Sequence, residues 1–144
     1  MPEQHTRTIQ TRGETETAAV GRNLANSLQP GSAVLLHGDL GAGKTAFVRG
    51  LAEGLGIDPE AVSSPTFTLI QEYRGGRLPL LHVDLYRLDD AREIEELGLD
   101  ELGEQAILAI EWADKLPRRP TGAITIRIDL GAGDTRHLEI SDGC

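Results

Sequence analysis

The chain has 144 residues, of which 39% are hydrophobic and 3% aromatic, and a formal net charge of −9. This length predicts one domain over residues 1–144, with a core made mostly of Leu, Ile, Val and Ala. The composition argues against a membrane protein, since no apolar run approaches ~18 residues, and against a disulfide framework, since Cys144 is the only cysteine.

The charge also restricts the partners. Binding to a phosphate backbone needs clustered basic residues, but the chain has two lysines, and its twelve arginines are scattered. We therefore expect any nucleic acid to be held by another protein. The first residues show no hydrophobic export segment, so a cytoplasmic protein is expected.

The N-terminal part predicts a strand followed by a helix. Residues 7–11 suit an edge strand, and residues 13–28 suit a helix with hydroxyl and acidic residues in its first turn. Pro30 follows and stops the helix. We favour a helix that covers the sheet; the alternative is that its first turn lies beside a bound base.

The central motif is a phosphate-binding loop. Its pattern of glycine, four residues, glycine, lysine and threonine is formed by Gly38, Asp39, Leu40, Gly41, Ala42, Gly43, Lys44 and Thr45. The apolar residues 33–36 predict a buried strand before it, and residues 45–55 predict a helix after it. Because strand, loop and helix agree, we prefer this interpretation to an ordinary glycine turn.

The chemistry of such a loop depends on its residue types. Glycines let main-chain N–H groups point inward at phosphate oxygens, and the helix N-terminus adds positive charge. Lys44 is expected to reach the β- and γ-phosphates, and the Thr45 hydroxyl to bind Mg²⁺. The loop therefore predicts a nucleoside triphosphate and Mg²⁺ as its ligands.

A hydroxyl-rich segment follows the second helix. Residues 63–66 form a polar loop and residues 66–70 predict a strand. From the residues alone an ordinary turn is favoured over a switch loop that closes on the γ-phosphate. Gly75 and Gly76 then predict a hairpin, with residues 78–85 as the returning strand.

Two apolar strands each end in an acid. Residues 80–84 end in Asp84, with His82 interrupting the apolar pattern, and residues 106–111 end in Glu111. Open α/β sheets bind ligands at the carboxyl ends of their strands. We therefore assign functional roles to both carboxylates.

The segment between these strands is acidic. Residues 89–104 contain eight acids and one arginine and predict a helix. Its default interpretation is a solvated helix face; the alternative is a docking surface for a basic partner. Trp112, the only tryptophan, suits either the core or an aromatic lid on the site.

The C-terminal part predicts a second hairpin. Residues 123–130 alternate and predict a half-exposed antiparallel strand. Residues 131–134 form a turn and residues 136–140 return. The predicted fold is α/β, a three-layer arrangement like that of P-loop NTPases, with a parallel nucleotide-binding core and antiparallel strands added to it.

Four segments of the chain resemble the bacterial TsaE family of tRNA threonylcarbamoyladenosine biosynthesis proteins. They are residues 37–45, 64–69, 82–88 and 110–112. The resemblance implies an ATPase that assists the enzymes placing threonylcarbamoyl on the adenosine next to the anticodon, and that is not itself the transferase. It also implies binding to TsaD and TsaB, a partner complex that the ATP cycle resets between turnovers.

The resemblance implies roles for the central residues. Thr45, Glu111 and Asp84 would hold Mg²⁺, and Lys44 would hold phosphates. Either Glu111 or Asp84 would orient the attacking water, and the choice between them stays open. Since no arginine is clearly placed to complete the site, we expect slow hydrolysis until a partner supplies what is missing.

The resemblance also implies roles at the edge of the site. Thr66 would belong to a switch-like loop, and Trp112 would lie at the partner or nucleotide face. Glu14 and Gly133 would approach the outer side of the nucleotide. Three other classes of function stay open: a small-molecule kinase, a GTPase, which the missing Asn-Lys-x-Asp stretch disfavours, and a binding module without hydrolysis.

Overall fold

The computed structural model describes residues 5–38, 43–62, 70–120 and 122–142. In these ranges the strands are β1 (His5–Arg12), β2 (Ala33–Gly38), β3 (Ile70–Tyr73), β4 (Leu80–Asp84), β5 (Ile107–Glu111), β6 (Ile124–Leu130) and β7 (Thr135–Asp142). The α-helices are α1 (Gly13–Ala25), α2 (Lys44–Gly54), α3 (Ala91–Glu96) and α4 (Leu99–Leu102). Single 3-10 turns lie at Pro59–Ala61 and Ala113–Lys115.

All these strands form one mixed sheet in the order β1-β7-β6-β2-β5-β4-β3. β6, β2, β5 and β4 are parallel neighbours, and β1, β7 and β3 are added antiparallel. Every residue of β5 is buried, as expected of a parallel strand covered on both faces. The predicted α/β class, the mixed sheet and the edge position of the first strand are confirmed.

The predicted direction of β6 is only half right. β6 pairs antiparallel with β7, but it also pairs parallel with β2. Its alternation reflects a strand with Ile126 and Ile128 fully buried on one side and Arg127 exposed on the other. Such a pattern reports which face is buried and not the direction of the neighbouring strand.

α1 and α2 cover one face of the sheet, as predicted for α1. Leu24 of α1 and Phe47 of α2 belong to one buried apolar cluster that includes Leu36 of β2. The two helices lie so close that a β-carbon at Gly50 would be 1.9 Å from the carbonyl oxygen of Ala18. Only glycine permits this approach, which fixes the position of α2 and therefore of its N-terminus.

α1 ends earlier than predicted. It stops at Ala25, and residues 26 and 27 form a turn. The Arg77 guanidinium donates hydrogen bonds to the carbonyl oxygens of Ala25 and Leu28, at 2.6 and 3.1 Å. These bonds attach the Arg77 side chain to the end of α1, where the Ala25 carbonyl oxygen also accepts from the Leu28 N–H at 3.2 Å.

The other face is covered by α3, α4 and the segment after β5. Ile94 and Leu99 pack in a second cluster with Leu81 and Ile110 of the sheet. The prediction of one helix over residues 89–104 is wrong, because Gly98 separates two short helices. Its φ of 65° lies outside the right-handed helical region.

β3 and β4 form the predicted hairpin around Gly75 and Gly76. The two strands pair from Ile70 with Val83 to Tyr73 with Leu80. The strand predicted over residues 66–70 overlaps β3 at Ile70 alone, since residues 63–69 lie outside the described ranges. In the described part of the chain, no helix has the length and apolar character needed to cross a membrane.

Candidate nucleotide site

The predicted site residues converge at one edge of the sheet. β2, β4 and β5 are mutually parallel, so their carboxyl ends, Gly38, Asp84 and Glu111, lie on the same side. Asp84 and Glu111 are direct partners in the register of β4 and β5. α2 begins nearby at Lys44, and ligands of open α/β sheets bind at this kind of edge.

The two described ends of the glycine loop both require glycine. Gly38 has a φ of 132°, and a β-carbon there would lie 2.0 Å from the carbonyl oxygen of Ile128. Gly43 has a φ of 103° and caps α2. Four predicted members of the loop lie outside the described residues; they are Asp39, Leu40, Gly41 and Ala42.

Lys44 places a buried ammonium group at the loop. The residue is 7% exposed, and its Nζ donates to the carbonyl oxygen of Gly38 at 3.2 Å. The same Nζ lies 5.6 Å from the centre of the Trp112 ring. A buried cation is stabilised by charge partners, and these neutral contacts leave Lys44 well suited to bind an anion.

A cavity of about 350 Å³ opens beside Lys44. Its lining residues are Leu36, His37, Gly38, Lys44, Trp112, Asp114 and Arg127. Burial lowers the pKa of His37, and the charge of Asp114 raises it. The pKa is lowered further by three nearby positive charges, those of Arg127, Arg119 and Lys44. The cavity thus carries two permanent cations and one acid, a balance that suits an anionic ligand.

Asp84 and Glu111 form a pair of acids beside the loop. Burial is the main reason that the pKa of Asp84 is raised. The Tyr86 N–H donates to Oδ1 at 2.9 Å and lowers this pKa, whereas the charge of Glu111 raises it further. Glu111 is 8% exposed, and its Oε2 accepts a hydrogen bond from Nε2 of His82 at 2.6 Å. Among the described residues, no hydrogen bond reaches the other oxygen of either carboxylate.

These oxygens fit Mg²⁺, which prefers carboxylate and hydroxyl ligands and retains several waters. A bound cation would stabilise the ionised form of Asp84, which burial and, to a smaller extent, the charge of Glu111 disfavour. The Thr45 hydroxyl adds a third oxygen in the first turn of α2, where the side chain is half-buried. No group of three or more His, Cys, Asp or Glu in the described ranges could hold a metal, so phosphate and water oxygens would complete the shell.

Trp112 both packs in the core and lines the cavity. It is half-buried, contacts the second apolar cluster, and has its ring centre 5.1 Å from that of Tyr86. Its φ of 59° is the only positive value at a non-glycine residue in the described chain. Such strain is typical of functional positions. The packing of Trp112 against the core is confirmed, and its role as a lid on the site stays a prediction.

The family model for TsaE, described as threonylcarbamoyl adenosine biosynthesis protein TsaE, matches residues 11–138. The chain belongs to the TsaE family. Two relatives carry the name tRNA threonylcarbamoyladenosine biosynthesis protein TsaE. The Nostoc sp. protein is 45% identical over 130 residues, covering 87% of this chain and 79% of the relative. The Bacillus subtilis protein is 46% identical over 125 residues, covering 85% and 77%.

A solved structure agrees with this assignment. The crystal structure of YdiB from Bacillus subtilis superposes with a TM-score of 0.76 at 35% sequence identity. The match covers 99% of this chain and 88% of that one. The resemblance to the TsaE family inferred from four short segments is therefore confirmed over most of the chain.

The outer residues expected from the TsaE family lie beside one another but outside the cavity lining. The Gly13 N–H donates to the carbonyl oxygen of Asp134 at 2.9 Å, which joins the start of α1, with Glu14, to the turn containing Gly133. Glu14 is exposed. A β-carbon on Gly43 would lie 3.7 Å from Thr17, so this end of α1 is next to the loop. Thr66 lies outside the described residues.

Sequence reasoning missed three contributors to this TsaE-family site. His37 and Arg127 are register partners on β2 and β6 and line the cavity. His37 begins the segment 37–45 but was given no role, and Arg127 belongs to no motif. His82 was taken as an interruption of an apolar strand. Its position two residues before Asp84 was the available signal, since alternate residues of a strand share a face.

Proposed function

We propose that this protein is an ATP-binding, Mg²⁺-dependent ATPase that assists the formation of threonylcarbamoyladenosine in tRNA. The observation that carries the proposal is the convergence of Lys44, Asp84 and Glu111 at the end of a glycine loop. A buried cation and a pair of acids in that arrangement are what a magnesium–triphosphate complex requires. The names of the relatives support the tRNA pathway.

Phosphoryl transfer to water needs positioning and charge neutralisation more than covalent chemistry. Main-chain N–H groups of the loop and the Lys44 ammonium bind the phosphate oxygens. Thr45, Glu111 and Asp84 would hold Mg²⁺, which supplies additional positive charge for the transferred group. A carboxylate oxygen of Glu111 or Asp84 would orient the attacking water.

Hydrolysis by the isolated protein is expected to be slow. An arginine at the γ-phosphate accelerates such reactions by orders of magnitude. Arg49 donates to the carbonyl oxygen of Val62 at 3.3 Å, and Arg127, which lines the cavity, is paired with Asp129 at 3.1 Å. A partner therefore completes the site. We propose TsaD and TsaB as the partner complex, which hydrolysis drives or resets, with tRNA reached only through it because the chain carries a net charge of −9.

Calorimetric titration with ATP and with ADP, each with and without Mg²⁺, tests the nucleotide site. Lys44→Ala is expected to weaken binding by about 10- to 100-fold, since a charge-assisted hydrogen bond contributes ~1.5–3 kcal/mol. The matched control is the other lysine. Lys115 donates to the carbonyl oxygens of Tyr86 and Leu88 at 2.7 and 3.1 Å, so Lys115→Ala is expected to retain affinity.

Phosphate release separates the remaining classes of function. Free phosphate formed from ATP and accelerated by TsaD and TsaB supports the ATPase. An acceptor that consumes the γ-phosphate without free phosphate would instead identify a kinase, and tight binding without turnover in the assembled complex a switch. A folded protein that takes up no magnesium–adenine nucleotide would contradict the proposal altogether.

A further inference from the structure

His82 and Glu111 form a pair of side chains at the base of the proposed site. His82 is on β4 and is fully buried, and its Nε2 lies 2.6 Å from Oε2 of Glu111 on the neighbouring strand β5. In the register of these strands, His82 stands opposite Ala109 and Asp84 stands opposite Glu111. The imidazole therefore reaches Glu111 from the interior end, opposite to the open edge of the sheet.

We propose that His82 is a positioning residue, which fixes the Glu111 carboxylate through the hydrogen bond to Oε2 and leaves Oε1 for the magnesium–nucleotide complex. This inference rests on the function proposed above. It adds a residue that does not touch the ligand but sets the orientation of one that does. Partners of this kind change metal affinity or activity by about 10- to 100-fold when they are removed.

The surroundings of His82 argue against a packing role alone. Its neighbours along β4 are apolar; Leu80 and Val83 are fully buried, and an aliphatic side chain would match them. Instead a polar ring is buried, and its Nδ1 has no hydrogen-bond partner in the described part of the chain. Leaving a buried polar atom unpaired costs about 1–3 kcal/mol. The ring also lies 6.4 Å from that of Tyr73, measured between centres, but the contact with Glu111 is the polar interaction that accounts for a histidine here.

The hydrogen bond also favours one tautomer. A carboxylate oxygen of Glu111 accepts, so Nε2 of His82 carries the proton and donates it. The unpaired Nδ1 is then a bare acceptor. Long-range nitrogen–proton NMR of the protein without nucleotide distinguishes this tautomer from the Nδ1–H form, and it gives a readout that is independent of activity.

Two substitutions separate positioning from packing. His82→Gln keeps an N–H donor at about the distance of Nε2, whereas His82→Leu fills the space without a donor. For His82→Leu we expect the Mg²⁺ concentration giving half-maximal binding of ADP to rise by about 10- to 100-fold and kcat to fall with little change in KM. His82→Gln is expected to recover most of both quantities, while nucleotide binding without Mg²⁺ stays unchanged in both variants.

A double-mutant cycle with Glu111→Ala, which removes the acceptor of the His82 hydrogen bond, tests the route of the effect. In that background, His82→Leu is expected to change the Mg²⁺ dependence by less than about twofold, because residues that act through one another are not additive. Three results would each overturn the inference. They are full additivity of the two substitutions in the cycle, an equal loss of Mg²⁺ affinity in His82→Gln and His82→Leu, and the Nδ1–H tautomer in the wild type. If His82→Leu does not fold, the tautomer of the wild type and the Mg²⁺ dependence of His82→Gln still test the positioning role.

The wild-type protein distinguishes this failure from failure of the proposed function. If the wild type shows no Mg²⁺-dependent nucleotide binding, the function proposed for the site is wrong, and the positioning role falls with it. If the wild type binds nucleotide with Mg²⁺ but His82→Leu has an unchanged Mg²⁺ dependence, the function stands and only the role of His82 is wrong.

Discussion

Asp84 and Glu111 stand directly opposite each other at the carboxyl ends of two parallel strands. They lie about 27 positions apart in a chain whose intervening segment forms α3 and α4, and only strand pairing brings them together. Burial raises the pKa of Asp84, and the charge of Glu111 raises it further. Like charges in a partly buried position are an unfavourable arrangement unless a cation is bound.

Glu111→Gln is expected to lower ATP hydrolysis by at least about 100-fold, because removal of a residue that stabilises the transition state typically has an effect of this size. The amide keeps the shape of the side chain and an oxygen that can accept from His82. Phosphate release measures the activity. Circular dichroism is expected to match the wild type, and retention of full activity by a folded variant would remove Glu111 from the catalytic centre.

Asp84→Asn is expected to stabilise the protein without nucleotide at pH 7. Because the pKa of Asp84 is raised in the folded protein, ionisation of this carboxyl group favours the unfolded state. The stability that the protonated group contributes is complete below the ordinary aspartate pKa, and it is lost as the pH rises through the pKa of the folded protein. The asparagine oxygen can still accept from the Tyr86 N–H. Thermal melts should show a higher Tm for Asp84→Asn at pH 7 and a difference that shrinks below about pH 4.

The same substitution is expected to weaken Mg²⁺-dependent nucleotide binding. A lower Tm of Asp84→Asn than of the wild type at pH 7 would contradict the idea that ionisation of Asp84 is unfavourable in the folded protein. A Tm difference that does not vary with pH would also contradict it. Opposite effects on stability and on function are common where like charges are held together for a ligand.

Gly50→Ala is expected to destabilise the protein by about 1–3 kcal/mol, as overpacking of a close contact does. Alanine favours helices by about 1 kcal/mol over glycine, but the new β-carbon would lie 1.9 Å from the Ala18 carbonyl oxygen. Urea unfolding measures the change. Thr15→Ala, at an exposed position of α1, is the control and should stay within about 0.5 kcal/mol. Stabilisation by Gly50→Ala would show that the helices separate easily.

Trp112 is expected to report nucleotide binding through its fluorescence. It is the only tryptophan, and the Lys44 Nζ lies 5.6 Å from its ring. When Lys44 turns to phosphate oxygens, the charge near the indole changes, and emission should shift in a saturable way. Lys44→Ala should abolish the response. Lys115, whose Nζ lies 5.8 Å from the same ring, provides the control, since Lys115→Ala should keep the response.

The parts of the site that local chemistry controls were predictable. The pattern from Gly38 to Thr45 predicted a loop between a strand and a helix, because glycine conformations and helix N-termini depend on neighbouring residues. The apolar runs before Asp84 and Glu111 predicted two strands ending in acids. In contrast, the break at Gly98 was missed, because periodicity and acidic composition do not reveal a positive φ.

Sequence alone determined the glycine-rich segment between a strand and a helix, the strands that end in acids and the TsaE family, since each of these depends on short contiguous segments. Only the tertiary structure decided that Asp84 pairs with Glu111 and that His82 contacts Glu111 from the neighbouring strand. It also decided that Arg127 faces the cavity beside His37. These contacts depend on strand order and register. Both are fixed by the packing of the whole sheet against its helices, a long-range balance of burial that no local pattern contains.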